Sequence, residues 1–417
     1  ELPVPYKNGL LRFDVIKEGS AGNIWAGGSG GLFRIDPLTL RAKHFLNQVD
    51  DDGNSLSNPE TNVITIDRNH FLWIGTVGPG DFKMMPVNSG FKHIKLTENN
   101  NHVRTGTYMM GIQQMGNDVW FINIWDQIGR VNLMSGTTDL LDKPFLPDNY
   151  RWYSEGAILR NKTGDGLILL NGEHRYDISP NENSEISIQS HPSPGLTFIY
   201  HATNGKTWFM VKAPVDQTVC RNDTIYGNQF FYDAKEDSSG NIWIGSSMGL
   251  IKFDAGEIQF THHKHDSDDP NSISSNYIYR LEIDNGSSNI WMAAYNGGLC
   301  SYNIASGKFI HYDRDDGLSD NTIYSLEKDD RGNLWFSSNA GISSYDTNTG
   351  TFRNFGAGDG LLNHEFNRRS SFKNRDGWMF FGGTYGVDYF HPDSIVKNNN
   401  NPILAFTNFK ILNDDYI

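Results

Sequence analysis

Apolar residues run through most of the chain in short stretches of four to six, separated by polar turns rich in Gly, Asn and Asp. The segment 323–355 shows the pattern most clearly. Ile323-Tyr324-Ser325-Leu326-Glu327 leads to the turn Asp330-Arg331-Gly332-Asn333, and Leu334-Trp335-Phe336-Ser337 ends at Asn339-Ala340-Gly341. Ile342-Ser343-Ser344-Tyr345-Asp346 follows, and Thr347-Asn348-Thr349-Gly350 turns into Thr351-Phe352-Arg353-Asn354-Phe355. Runs this short, β-branched and aromatic and bounded by turn formers, predict four consecutive strands.

The unit repeats. Gly22-Asn23-Ile24-Trp25-Ala26-Gly27 returns as Gly240-Asn241-Ile242-Trp243-Ile244-Gly245 and as Gly332-Asn333-Leu334-Trp335-Phe336. Looser copies carry Trp73, Trp120, Trp208 and Trp291, while Leu169 and Phe380 hold the register where the Trp is lost. The nine anchors, at 25, 73, 120, 169, 208, 243, 291, 335 and 380, take seven of the ten tryptophans. A four-stranded unit of about 45 residues, repeated this often, predicts an all-β fold, a β-propeller of four-stranded blades. One blade cannot bury both faces, so the anchor Trp is expected between neighbouring blades. Nine copies fit a seven-bladed ring (anchors 120 to 380) preceded by two further blades, or one large ring; we favour the first. The predicted division is 1–102 as two blades and 103–400 as a ring of about seven. The last copy lacks an evident fourth strand before residue 401, one that propellers often take from elsewhere in the chain.

Composition narrows the function classes. A length of 417 residues allows two to four ordinary domains or one large repetitive one. The formal charge of −14 argues against nucleic-acid or anionic-membrane partners, which are gripped through Lys and Arg. No apolar run is long enough to read as a transmembrane helix. The start, Glu-Leu-Pro-Val-Pro-Tyr, lacks the basic and apolar regions of a signal peptide, so a leader is expected to have been removed or the chain to begin inside a longer protein. Cys220 and Cys300 follow anchors two blades apart, too far for a disulfide, and two free thiols are expected.

Several motifs are absorbed by the repeat. Gly27-Gly28-Ser29-Gly30-Gly31 resembles a phosphate loop, but no helix follows and equivalent glycines recur at Gly249, Gly298, Gly341 and Gly386, so strand-to-strand turns with positive φ are predicted. Asp50-Asp51-Asp52-Gly53-Asn54 lacks the Glu at the twelfth position of a calcium loop. In His262-His263-Lys264-His265-Asp266 only His263 and His265 share a strand face. No metal and no cofactor are expected.

The consensus I-x-x-x-D-x-x-G-N-[IL]-W-[IF]-G-[ST]-x-x-G-[LI]-x-x-[YF]-D resembles the regulator-propeller repeat of periplasmic sensor regions in hybrid two-component systems. The run Gly360-Leu361-Leu362-Asn363-His364-Glu365-Phe366-Asn367-Arg368, with Phe381-Gly382-Gly383-Thr384-Tyr385-Gly386 and Phe390-His391-Pro392, is similar to that family's last blade. Asn401-Pro402-Ile403-Leu404-Ala405-Phe406 resembles the first strand of the Ig-like three-tyrosine domain that follows it, so 401–417 is assigned to that domain. The resemblance implies a periplasmic, inner-membrane-anchored protein with a transmembrane helix and a histidine kinase beyond this region, and leaves open a homodimer of the full-length sensor. It implies an oligosaccharide ligand and no enzyme in this region. The alternative is a glycan-active propeller enzyme, a polysaccharide lyase or a glycosidase with two opposed carboxylates.

A ligand is expected on the face carrying the loops before the first strand and after the second strand of each blade. Departures from the repeat there are Trp125, then Arg151, Trp152 and Tyr153, then His174. Aromatic planes take the C–H faces of sugar rings, and Arg and His donate to hydroxyls or a carboxylate. A neutral or weakly acidic oligosaccharide is the expectation at a net charge of −14, unless Arg130, Arg151 and Arg175 cluster.

Overall fold

The computed structural model describes residues 12–19, 23–45, 60–66, 72–77, 81–84, 90–95, 109–123, 128–140, 157–170, 174–180, 186–284, 286, 288–395, 409–411 and 414–416. Their regular structure is strand, apart from three single turns of 3-10 helix. The chain forms two compact units, Gly90–Ile395 and Glu1–Ser89 with Val396–Ile417.

Among the described residues, the unit Gly90–Ile395 holds seven four-stranded sheets. The sheets begin, in chain order, with the strands Met109–Met115, Ala157–Arg160, Leu196–His201, Phe231–Glu236, Ile278–Asp284, Ile323–Lys328 and Phe366–Lys373. These first strands pack against one another from sheet to sheet, and the seventh against the first. One apolar cluster spans that seam: Met109, Ile112, Val119, Phe121 and Val131 of the first sheet meet Phe372, Phe380 and Val387 of the seventh, with Ile94. The result is a propeller ring.

The ring is closed by a strand from far upstream. Lys92–Lys95 pairs antiparallel with the third strand of the seventh sheet, Tyr389 opposite Lys92 and Gly386 opposite Lys95. This supplies the strand missing from the last sequence copy. It also moves the expected boundaries: the unit runs from Gly90 to Ile395 rather than from 103 to 400. The closure is fixed by Asp388, whose side chain is fully buried. Its carboxylate accepts the amides of Leu362 (2.8 Å) and Asn363 (3.1 Å), the Asn363 side-chain amide (2.7 Å) and His93 Nδ1 (2.7 Å). A buried carboxylate is tolerated only when its lone pairs are filled in this way.

The tryptophan anchors of the ring lie between sheets, each packed on the next one, and Phe380 packs on the first sheet; Leu169, expected as an anchor, instead joins the core around Trp120, and its neighbours Ile168 and Leu170 face the third sheet. Trp243 joins the core of the fifth sheet with Ile278, Leu281 and Met292. Trp335 packs on Phe366, Phe381 and Phe390 of the seventh. The rest of the consensus is the turn that feeds the anchor. Asp237 accepts the amides of Ser239 (2.9 Å) and Asn241 (3.0 Å) and the indole N–H of Trp243 (2.8 Å). Asp329 does the same for Arg331 (2.9 Å), Asn333 (2.8 Å) and Trp335 (3.1 Å). Where the Asp is missing, the indole nitrogens of Trp120 and Trp208 are buried without a hydrogen-bond partner among the described residues. The repeated glycine follows from close approach: Gly249 and Gly341 have φ of 104° and 99°, and a Cβ there would stand 2.2 Å from the His263 carbonyl or 2.1 Å from that of Phe355.

The third sheet departs from the plan. Its strand order is Leu196–His201, Thr207–Lys212, Thr224–Gly227, Val219–Arg221, and the second and third members of that order run parallel. The chain passes first to the outer edge and returns inward, which accounts for the short spacing of 35 between anchors 208 and 243.

The other unit contains a four-stranded sheet over Phe13–Phe45 and a three-stranded one over Thr61–Met84. Trp25 is buried against Ile64, Leu72 and Ile74. Trp73, in contrast, is 44% exposed, against the expectation for an anchor. Among the described residues of this unit no further sheet follows it to cover the ring. Phe409–Ile411 and Asp414–Tyr416 form a two-stranded antiparallel pair.

Two stability outcomes follow. Trp243→Ala and Trp335→Ala should each cost about 3–5 kcal/mol, as for other emptied aromatic core sites, whereas Trp73→Ala should cost far less; shifts in urea midpoint measure this. Asp388→Ala, which strands several buried donors at the seam, should cost at least about 3 kcal/mol. A midpoint unchanged in Asp388→Ala would show that the seam does not depend on this carboxylate.

Candidate functional site

One face of the ring carries the turns between second and third strands together with the segments leading into first strands. Backbone hydrogen bonds tie the two sets: Tyr295 N–H donates to Tyr277 (3.0 Å), Gly298 to Asn321 (2.8 Å), Gly341 to His364 (2.9 Å) and Thr384 to Glu365 (3.2 Å). On this face, across the fifth, sixth and seventh sheets, lies a cleft of about 370 Å³ lined by Tyr279, Tyr295, Tyr324, Asn339, Glu365, Phe366, Asn367 and Arg368.

The repeat itself builds the cleft. Tyr279 and Tyr324 occupy equivalent places in the first strands of two sheets, and their rings stack at 6.3 Å with an interplanar angle of 25°. Tyr295 stands on the turn Ala294–Gly298 and meets Tyr279 at 6.2 Å and Tyr277 at 6.2 Å, both nearly edge-on. Tyr232 extends the row from the fourth sheet, 5.3 Å from Tyr279. Tyr277, Tyr295 and Tyr385 are 47%, 40% and 53% exposed, a concentration of open aromatic surface on this face. Burial raises the Tyr324 phenol above its usual value, partly offset by a hydrogen bond with Asn339. The Tyr324 phenol is therefore held as a neutral hydroxyl, able to donate and to accept.

Beneath this face the first strands carry a buried charged ladder. Lys235 pairs with Glu282 (3.0 Å) and Arg280 with Glu327 (2.5 Å). Ser371 Oγ donates to Glu327 (2.7 Å), and Asp233 accepts the Leu281 amide (2.9 Å). Burial pushes Glu282 upward despite Lys235, while for Lys235 burial is outweighed by Glu282 and Asp233 and the ammonium is held more firmly. These groups are spent on one another. They join sheets rather than face a ligand.

Of the residues singled out from sequence, Trp125, Arg151, Trp152 and Tyr153 lie outside the described residues. His174 opens the third strand of the second sheet, half-buried, its ring 6.1 Å from Tyr176. Arg130 and Arg175 do not cluster on a ligand face: Arg130 pairs with Asp118 and Asp139, and Arg175 with Asp177. The tyrosines of the cleft were missed because they sit in regular blades. Comparing turns across copies would have found Tyr295, which stands where other copies have Ser29, Ser247 or Asn339, and Tyr385, which stands where they have Gly30, Met248 or Ala340.

Asp50-Asp51-Asp52-Gly53-Asn54 lies outside the described residues, and the histidine run is structural. His263 stacks on Trp243 and meets Tyr302 at 4.9 Å, and His265 Nδ1 lies 2.7 Å from the Ile273 carbonyl. Among the described residues no group of three or more His, Cys, Asp or Glu could hold a metal. Cys300 is buried in the core, its thiol pushed up to about 11 by burial, and Cys220 is half-buried; both are free. A second cavity of about 480 Å³, lined by Asp216, Gln217, Gln229, His262 and Lys264 among others, opens where the third sheet reverses its strand order.

Known proteins share this architecture. The family described as two component regulator propeller matches residues 317–340, the lead-in and first two strands of the sixth sheet. Histidine kinase P4 of Formosa agariphila is 34% identical over 98 residues, 24% of this chain and 7% of that protein. The extracellular domain assigned to the hybrid two component system BT3049 of B. thetaiotaomicron superposes with a TM-score of 0.63 at 20% identity, over 91% of this chain and 56% of that one. The extracellular domain assigned to the one component system BT4673 gives 0.51 at 17%, over 97% and 56%. The chain spans about half the length of these structures and a small part of the kinase. Among the described residues no helix is long and apolar enough to cross a membrane.

The open tyrosines should be separable from the core. Tyr295→Ala is expected to leave the melting temperature nearly unchanged, since the ring is 40% exposed, whereas Tyr279→Ala, 5% exposed, should lower it. Equal losses would make Tyr295 a packing residue.

Proposed function

We propose that this chain, built of two component regulator propeller repeats, is the ligand-sensing region of a two-component signalling protein and recognises an oligosaccharide. The observation that carries the reading is the cleft: three tyrosine rings at one mouth of the ring, with Asn339, Glu365 and Arg368 between them. Aromatic planes accept the apolar faces of sugar rings, and the amide, carboxylate and guanidinium meet hydroxyls. Glu365 is the one carboxylate among the lining residues, whereas glycosidic hydrolysis calls for two facing each other across the bond. Binding without cleavage is the chemistry this favours. Micromolar affinity, about 8 kcal/mol, is enough for a sensor that follows ligand concentration.

The rest of the proposal extends beyond the chain. The region belongs outside the cytoplasm, in the periplasm, anchored to the inner membrane by a helix further along, with a histidine kinase on the other side and a three-tyrosine Ig-like domain beginning near residue 401. Trp125, Arg151, Trp152, Tyr153 and His174 remain proposed as a second set of contacts, in connections of the same type as those that bear Tyr277 and Tyr295.

Isothermal titration against a panel of oligosaccharides, with the products examined by chromatography, tests the reading. Binding without cleavage is expected, and Tyr295→Ala should weaken it by about tenfold or more, the scale of one lost aromatic contact. Loss in Trp152→Ala with Tyr295→Ala unaffected would move the site to the earlier blades. Cleavage products would make the protein an enzyme.

A further inference from the structure

The first strand of the seventh sheet does not follow its neighbours. In the fourth, fifth and sixth sheets this strand takes two steps where its partner takes one, an ordinary bulge: Phe231 and Asp233 face Ser246 and Gly245, for example. In the seventh, Phe366 pairs with Gly383 and Ser371 with Phe381. Residues 367–370 stand clear of the ladder, and Arg369 is held at φ 59°, a left-handed conformation that a long side chain seldom adopts.

This wide bulge crosses the cleft face. The Arg368 guanidinium lies 5.8 Å from the Tyr279 ring of the fifth sheet. Arg369 lies 5.5 Å from Tyr232 of the fourth and 6.0 Å from Phe198 of the third. Asn367 Nδ2 and Ser370 Oγ are buried with no hydrogen-bond partner among the described residues. Asn367 and Arg368 both line the cleft. A segment with a strained backbone and two unsatisfied polar atoms is costly to keep. Packing alone gives no reason for it, because the other three sheets fill the same place with a one-residue bulge.

Taking the cleft as the glycan site proposed above, we infer that it receives the acidic end of the glycan, a uronate, whose carboxylate is bound by Arg368 on this bulge. The guanidinium fork matches two carboxylate oxygens in one plane, and its cation–π contact with Tyr279, at 5.8 Å, keeps it at the cleft. Asn367 adds an amide donor beside it. The pyranose ring then lies along Tyr295 and Tyr324, with Tyr279 packed beneath them, and Glu365 is left to accept hydroxyls. The −14 net charge does not oppose this, since at physiological ionic strength it is the charges within about 8 Å that decide a contact.

The test is isothermal titration of the full chain with short oligosaccharides of pectate, alginate, glucuronoxylan and hyaluronan, each beside its carboxyl-reduced counterpart. At least one acid should bind, its reduced form about tenfold more weakly or worse, the scale of one charge-assisted hydrogen-bond pair. Arg368→Gln should abolish that difference, so that the acid and its reduced form bind alike, and Arg368→Lys, which keeps the charge but not the fork, should retain part of it. Raised salt should weaken wild type more than Arg368→Gln. A reduced or neutral glycan that binds as well as the acid, or an Arg368→Gln variant that loses both equally, overturns the inference while leaving the glycan reading in place. Failure of every acid and every reduced form to bind overturns both.

Discussion

Everything on the ligand face depends on a ring being closed by a strand that lies some 270 residues upstream of the sheet it completes. Lys92–Lys95 must find the open edge of Gly386–Phe390, and an edge strand left unpaired would invite pairing with another chain. The buried Asp388 makes the pairing specific. Its four donors come from three places, the lead-in at Leu362 and Asn363, the side chain of Asn363, and His93 on the closing strand. Asn363 in turn accepts the Tyr385 amide at 2.7 Å. The turn that presents Tyr385, the segment that carries Glu365 and the bulge at 367–370 are therefore all fixed by the same interaction that shuts the ring.

Between sheets the binding energy is divided in two. The apolar part comes from anchors such as Trp243 and Trp335, each buried against the sheet that follows. The polar part is the turn carboxylate that holds the anchor's indole. Burial alone would raise the Asp237 carboxyl, but donors from Trp243, Asn241 and Ser239 outweigh it and hold the group below its usual value. A carboxylate depressed in the folded state stabilises it above the ordinary value and loses that contribution as pH falls through the depressed one. Opposite the anchors, the first strands carry Lys235, Glu282 and Glu327 in the fourth to sixth sheets but Gln113, Ile158, Tyr200 and Phe372 in the others. Part of the ring's centre is thus joined by ion pairs and the rest without them, as where Arg160 donates to Gln113 at 3.3 Å. Each ion pair is kept because removing one partner would leave a buried charge.

How much of this was legible follows from what each residue does. The repeat could be read because its Trp, Asp, Asn and Gly answer to backbone needs that recur in every copy: Asp329 fills a turn, Gly341 admits a carbonyl, Trp335 fills a gap. Four-stranded sheets and a borrowed strand followed from counting. The identity of that strand did not, since Lys92-His93-Ile94-Lys95 has no feature that marks it as the partner of Gly386–Tyr389. The reversed order of the third sheet left only a shortened spacing and the loss of the turn Asp, with Ala202 in its place. The exposure of Trp73 was illegible for a different reason. Burial of an anchor depends on the next sheet, and the anchor's own residues do not encode it. The candidate site was sought in the irregular blades, where departures are easiest to see, and four of those five residues lie outside the described part. The tyrosines of the cleft were hidden by regularity, because an aromatic residue in a strand-rich repeat reads as core until the structure shows which rings stay open.

The acidic composition is likewise explained by position. Asp36, Asp254 and Asp346 accept turn amides in their hairpins at 2.9–3.1 Å. Asp237 and Asp329 hold anchors, Asp388 holds the seam, and Glu282 and Glu327 are paired to Lys235 and Arg280. A carboxylate used in this way is engaged by backbone or side-chain donors, so it cannot also act on a ligand without giving up a structural bond. Repeating the unit multiplies such carboxylates without adding chemistry. The cleft is therefore lined from positions the repeat leaves unconstrained, namely the turn residue at Tyr295, the segment leading to Glu365, and the wide bulge. At the turn the Tyr295 amide is met by the Tyr277 carbonyl without the side chain, and the side chains of Tyr295 and Arg368 line the cleft.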